Sequence, residues 1–310
     1  MRIKKKGIAW LRLARLQFQP LYFVIYTVGA AAAYTSYQIF NVSVYVLGFI
    51  VIFLGVICAA VTNDYFDYPS DRLNTNAGMF NGGSRVLVEG KLGFNEVKVG
   101  IFVLLCLIFV FGYLLIQTAK DVSAFLIVFF GFIGMFLVFE YSAPPLKFSY
   151  RGLGEIVMSI MSAPYPILLG YILQIGRWMD SLPWLLSILI FLAVLIGGAL
   201  GSIPDYRADM NVSRKRFAVI FGPRLTAIIS LYLIAVTALS GILFWYFNIL
   251  TGPGSISVVL AIPYSLILSF AVIKMIKTDD YERAINRIFP LTIFNILLLG
   301  LILLVSLLWR

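Results

Sequence analysis

Long apolar runs alternate with short polar breaks along nearly the whole chain. A helix needs about 20 mostly apolar residues to cross the hydrocarbon of a bilayer. Nine stretches reach that length: 18–40, 43–62, 99–118, 122–141, 153–174, 182–202, 225–247, 256–276 and 288–308. The pattern predicts an all-α integral membrane protein with nine transmembrane helices and one domain over residues 1–310. No small-residue cleavage site follows the first apolar run, so that run is expected to stay as a span. The breaks are unequal. Residues 63–98 and 203–224 form two long polar segments on one side, whereas the breaks on the other side are short.

Composition supports this reading and adds an orientation. Of 310 residues, 61% are apolar and 12% charged, against about a quarter charged in an average soluble domain. The surplus apolar surface has to face lipid. An odd number of crossings puts the termini on opposite sides. With the N-terminus in the cytoplasm, 21 of the 24 Lys and Arg residues lie on inner segments, and only Lys120, Arg177 and Arg310 lie outside. This split predicts a cell-membrane protein whose N-terminus and long loops are cytoplasmic and whose C-terminus is outside. It also explains the formal charge of +10 as topology rather than a nucleic-acid footprint. Cys58 and Cys106 sit inside apolar runs without metal-like spacing and read as buried bystanders. The chain has no histidine, which removes the commonest general base and most zinc, haem and non-haem iron chemistry.

The two long loops hold the candidate chemistry. The first opens Asn63-Asp64-Tyr65-Phe66-Asp67-Tyr68-Pro69-Ser70-Asp71, and the second Pro204-Asp205-Tyr206-Arg207-Ala208-Asp209. If the helices continue beyond the membrane, Asn63, Asp67 and Asp71 share one face, as do Asp205 and Asp209. Pro69 would kink that extension. Carboxylates stacked in this way repel one another, so a cation is needed among them. Oxygen ligands without His or Cys suit magnesium, which takes a few carboxylates together with the oxygens of a bound phosphate. The same layer supplies Arg15, Arg85, Lys147, Arg214, Lys215 and Arg216 as direct contacts for a diphosphate.

At these residues the sequence resembles the UbiA superfamily of intramembrane prenyltransferases. That family carries N-D-x-x-D-x-x-x-D after its second helix and D-x-x-x-D after its sixth, in a nine-helix bundle. Asn63 to Asp71 and Asp205 to Asp209 match both motifs. Between the motifs, the chain is similar to the branch that prenylates 1,4-dihydroxy-2-naphthoate in menaquinone biosynthesis. The similarity lies in Tyr141-Ser142-Ala143-Pro144-Pro145-Leu146-Lys147, Tyr150-Arg151-Gly152-Leu153-Gly154-Glu155 and Asn81-Gly82-Gly83-Ser84-Arg85-Val86-Leu87. Ala14-Arg15, with Pro20 beyond, fits that branch's first-helix arginine. The chain departs from the family in two places. Ser213-Arg214-Lys215-Arg216-Phe217 stands where G-K-R-T-L is usual, and Met161-Ser162-Ala163-Pro164 where a glycine before proline is commoner.

The resemblance implies magnesium-dependent transfer of a prenyl group from an isoprenyl diphosphate to an aromatic acceptor, with loss of pyrophosphate. In it Asn63, Asp67, Asp71, Asp205 and Asp209 hold the metal, and Arg15, Arg85, Tyr141, Lys147 and Arg214 or Lys215 meet the diphosphate. Asp64 orients the acceptor or supports the metal ligands. Other acceptors, such as 4-hydroxybenzoate or a lipid alcohol, and a terpene cyclase built on the same bundle use the same ionisation step. A secondary transporter would place its polar groups near the midplane, whereas these spans are nearly free of charge. A phosphatidyl-alcohol transferase would gather its aspartates into one motif with D-G and A-R pairs, which the chain lacks.

Overall fold

The structure, a computed structural model, describes residues 2–74, 82–249, 259 and 261–309, and among these the regular elements are all helices. Asn81 of the glycine-rich loop and the start of the expected 256–276 span lie outside the described residues. The membrane-length helices are α2 (Gln19–Tyr37), α3 (Val42–Phe66), α5 (Phe94–Thr118), α6 (Ala124–Ser142), α9 (Ser181–Gly201), α11 (Phe217–Tyr246), α12 (Ala261–Thr278) and α13 (Tyr281–Leu308). The pair α7 (Gly154–Ser162) and α8 (Pro164–Ile175) makes one further crossing. Short helices α1 (Arg2–Leu13), α4 (Tyr68–Leu73) and α10 (Tyr206–Asn211) complete the set.

Among the described residues, eight segments have the length and apolarity to cross a bilayer, where the sequence predicts nine. The difference is α2. It has the length but is rich in Tyr, Thr and Ala, and it lies inside the bundle against α8 and α13. A helix buried along most of its length has only a narrow exposed stripe to keep apolar. Its crossing with α8 depends on two glycines. A Cβ on Gly29 would fall 1.9 Å from the Ile167 carbonyl oxygen, and one on Gly170 would fall 2.2 Å from that of Tyr26. Only glycine lets two backbones approach this closely. Tyr26, Tyr171 and Ile167 fill the space around the contact.

The run 153–174 reads as one helix but breaks at Ala163 (φ −130°, ψ −75°), directly before Pro164. Proline cannot donate to the preceding turn and forces its neighbour out of the helical region. The break turns Ser162 and Tyr165 toward the interior cavity. Helix α11 is interrupted in the same way at Gly222 (φ 78°, ψ 157°), before Pro223. The basic N-terminus forms more than an orientation signal. Helix α1 packs Ala9 and Leu13 onto Val61, Val86, Leu92 and Val97 while exposing Ile8 and Leu11, as expected of a helix lying along the membrane interface.

Candidate active site

Both aspartate motifs lie where a long helix ends. Helix α3 stops at Asp67 (φ −86°, ψ 4°), and α4 restarts with Pro69 in its first turn, where a missing N–H costs nothing. The face is therefore kinked rather than continuous, although the Asp71 N–H still reaches the Asp67 carbonyl at 2.9 Å. Asp205 likewise caps α10, which carries Asp209. The two short helices are tied together. Ser70 Oγ donates to Asp209 Oδ1 at 2.7 Å, and Asn74 Nδ2 donates to Asp205 Oδ1 at 2.6 Å. The motifs, more than 130 residues apart in the chain, thus form one polar floor.

Arginines are threaded through this floor. Arg15 pairs with Asp64, which also accepts from the Ser84 hydroxyl and, at 2.9 Å, from the Ser84 N–H. Arg214 Nη2 lies 2.8 Å from Asp67 Oδ2, with its Nη1 3.8 Å from Asp209. Arg216 forks between Asp205 Oδ2 at 2.7 Å and Glu155 Oε1 at 3.3 Å. Asn63 accepts from Ser142 Oγ at 2.6 Å, and the same hydroxyl lies 3.3 Å from Asp67.

The local backbone decides which basic side chains enter. Ser213 takes a left-handed conformation (φ 55°), the reason glycine suits that place in the family motif. The chain then runs extended, with Lys215 bridged to Arg151. Alternate side chains of an extended segment point to opposite sides. Arg214 and Arg216 therefore turn inward, and Lys215 is exposed. Of the other predicted diphosphate contacts, Arg15 and Tyr141 line the cavity. Arg85 instead holds the backbone carbonyls of Asp71 and, at 3.2 Å, Asn74, while Lys147 Nζ lies 5.1 Å from the centre of the Tyr150 ring. Arg216 was expected only as one of the layer's cations, and Glu155, Ser70, Asn74 and Ser84 were not expected in the site. Of these four, Glu155 and Ser84 stand in the family-like segments, whereas Ser70 and Asn74 gave no sequence signal.

Above the floor opens a cavity of about 350 Å³. Asn63, Asp67, Asp71, Asp205, Arg15, Arg214 and Arg216 lie at its polar end, and apolar side chains of α2, α3, α6, α7, α9 and α13 line the rest. The carboxylates are crowded. Asp64, Asp67, Asp71, Asp205, Asp209 and Glu155 are all buried, against three guanidiniums, which leaves a formal excess of three negative charges. Burial, followed by the charges of Asp64 and Asp67, pushes Asp71 up to about 8. Burial also raises Asp67 and Asp205, opposed by Arg214 and Arg216 respectively.

Among the described residues, no three His, Cys, Asp or Glu side chains stand close enough to cage a metal ion unaided. The donor set does fit magnesium shared with a phosphate ligand. It is all oxygen, it is too negative for its arginines, and buried Asp67 Oδ1 and Asp209 Oδ2 have no hydrogen-bond partner.

The model of the UbiA prenyltransferase family matches residues 23–295, nearly nine-tenths of the chain. This chain belongs to that family. It is a prenyltransferase. The digeranylgeranylglyceryl phosphate synthase of Methanobrevibacter smithii is 26% identical over 208 residues, 66% of this chain and 69% of the relative. That of Thermococcus gammatolerans is 26% identical over 239 residues, 77% of each. The solved structure of a UbiA homologue from Archaeoglobus fulgidus bound to GPP and Mg2+ shares the fold, with TM-score 0.65 and 19% identity, over 96% of this chain and 99% of that one. Both sequence relatives are named for a glyceryl phosphate product, not the naphthoate product suggested by the loops between the motifs.

Proposed function

We propose that this prenyltransferase takes an isoprenyl diphosphate as donor and, with magnesium, passes the prenyl group to a glyceryl phosphate lipid at the cytoplasmic mouth of the bundle. The carrying observation is that both carboxylate rows converge on the polar end of one apolar cavity, which can take a charged head and a hydrocarbon tail together. Asn63, Asp67, Asp71, Asp205 and Asp209 would hold the metal. Magnesium, when bound, offsets the charge that gathers on departing pyrophosphate.

The chain's own residues do the rest. Arg214 and Arg216, fixed by their carboxylate partners, turn donors toward the same end of the cavity. Phe18, Tyr22, Tyr141 and Phe289 give the allylic cation electron-rich walls and keep water out. The carbon–oxygen bond to diphosphate breaks, the acceptor oxygen bonds to the allylic carbon, and the acceptor's proton passes to solvent at the mouth. Arg151 and Lys215, exposed on two bridged loops, and Lys147 beside them offer cations not bound to the aspartates, suited to an anionic acceptor.

An aromatic acceptor is the second reading. It is favoured by the Tyr141–Lys147 and Tyr150–Glu155 segments, which form one lip of the site. The test is incubation of purified protein with magnesium, geranylgeranyl diphosphate and, in separate arms, geranylgeranylglyceryl phosphate, 1,4-dihydroxy-2-naphthoate and 4-hydroxybenzoate, followed by mass spectrometry. The doubly prenylated glyceryl phosphate is the expected product. Product in the naphthoate arm alone transfers the assignment to the aromatic reading, and no product in any arm removes the acceptor proposals altogether.

A further inference from the structure

The glycines of this bundle fall into two kinds, and only one is explained by packing. Gly29 and Gly170 sit where another backbone leaves no room for a Cβ. Gly55 on α3 and Gly131 on α6 are different. A Cβ on either would meet nothing within 4 Å, yet both line the cavity. Glycine inside a helix weakens it relative to alanine, and no close helix contact accounts for it at these two places. What the two glycines do is widen the cavity between α3 and α6, which pack against each other.

That widened arm is the deep one. Val51 lines it fifteen residues before the cytoplasmic end of α3, roughly 22 Å at 1.5 Å per residue. On the opposite wall, α9 contributes nothing deeper than Val194, seven residues before its own cytoplasmic end at Gly201, roughly 10 Å on the same scale. Tyr165 lines the arm as well. Its ring lies on Gly134, where a Cβ would come 2.1 Å from the phenol oxygen, and that hydroxyl donates to the Phe130 carbonyl at 3.1 Å. It is therefore a large side chain pinned between α8 and α6, not a loose one that could swing aside.

We infer that Gly55 and Gly131 hold open the channel for the distal isoprene units of the donor, and that Tyr165, fixed at the level of Gly134, narrows it from the other side, so that these three residues set the prenyl length accepted. The inference rests on the proposed isoprenyl diphosphate donor and goes beyond it to the length of the donor tail.

The test measures affinity, so it does not depend on the acceptor. Geranyl, farnesyl and geranylgeranyl diphosphate are each titrated calorimetrically into detergent-purified protein with magnesium. The Gly131→Leu and Gly55→Leu variants fill open space and should fold. Each is expected to weaken geranylgeranyl diphosphate tenfold or more relative to geranyl diphosphate, whose short tail stays near the mouth. Tyr165→Ala is expected to shift the preference toward the longer tail, while Tyr165→Phe, which keeps the ring and loses only the hydroxyl, leaves it unchanged. Gly112→Leu is the control, since that glycine is equally unopposed but does not line the cavity. Equal weakening of all three ligands, or a length shift in Gly112→Leu as large as in Gly131→Leu, overturns the inference while the donor assignment stands. Failure of the unaltered protein to bind any of the three overturns the donor assignment itself.

Discussion

At the residue scale the site is an unbalanced charge cluster, and its imbalance determines how single substitutions read out. Asp67→Asn and Asp205→Asn each keep side-chain shape and delete one negative charge from a group with three in excess. The loss loosens Arg214 or Arg216 but relieves repulsion from Asp209, so folding should change little. Turnover should fall about 100-fold or more, because metal-assisted departure of a leaving group is worth several kcal/mol and each 1.4 kcal/mol is a factor of ten. Near-normal magnesium-dependent turnover in well-folded variants would sink the assignment of these aspartates. Arg216→Lys is expected to behave differently. An ammonium is a point donor and cannot span Glu155 and Asp205 as the fork does, so one buried carboxylate loses its partner. The melting temperature in detergent should drop by the equivalent of about 1–3 kcal/mol, along with activity. An unchanged melting temperature would mean that the fork contributes nothing. The aspartates were legible in the sequence because their spacing repeats with the helix. Arg216 was only partly so. Its inward direction depends on the left-handed turn at Ser213 and the extended step after it, and the sequence Ser-Arg-Lys-Arg does not declare which of three adjacent cations faces the cavity.

At the element scale, the sequence pattern identified helices well and their interruptions poorly. Among the described residues each long apolar run is helical, the 153–174 run in two pieces, because nothing else satisfies its backbone groups in lipid. The break at Ala163 was hidden because apolarity continues through Pro164, and apolarity alone does not report a break. The opposite error concerns α2. Its predicted span is real as a helix, but its Tyr, Thr and Ala content reflects the protein neighbours that bury most of it. The α2–α8 crossing can be tested directly. Gly170→Ala places a methyl group 2.2 Å from the Tyr26 carbonyl oxygen, and neither backbone can yield without parting the helices. A loss of about 1–3 kcal/mol is expected from overpacking. Gly55→Ala, whose methyl enters open space, should be neutral or gain up to about 1 kcal/mol in helix propensity. Thermal unfolding of the two variants in the same detergent separates the cases. Equal melting temperatures would show that the α2–α8 contact is looser than its geometry suggests.

At the scale of the whole molecule, the bundle brings four separate stretches of chain to one end. Arg15 follows α1, Asp64 ends α3 and meets Ser84 of the first long loop, Glu155 opens α7, and Arg216 precedes α11; Arg15 and Ser84 bond to Asp64, Arg216 spans Glu155 and Asp205, and Asn74 of the first loop bonds to Asp205. Such an assembly demands that all four stretches lie on the same side of the membrane, a condition the fold satisfies without saying which side it is. The basic residues predict the side. Segments on the site's side carry 21 of the 24 Lys and Arg residues, and short loops rich in Lys and Arg are retained in the cytoplasm. Single cysteines introduced at exposed positions should therefore report one orientation throughout. In a background with Cys58 and Cys106 replaced by serine, a cysteine at Lys91 or at Lys215 should react with a membrane-impermeant maleimide only after the cells are opened. One at Lys120 or Arg177 should react in intact cells. Labelling of Lys91 and Lys215 positions from outside would reverse the orientation but keep the site intact, because both would still share a face. Labelling of one from each side would be more serious, since α4 and α10 could not then meet through Ser70 and Asp209, and the two aspartate motifs could not serve a single diphosphate.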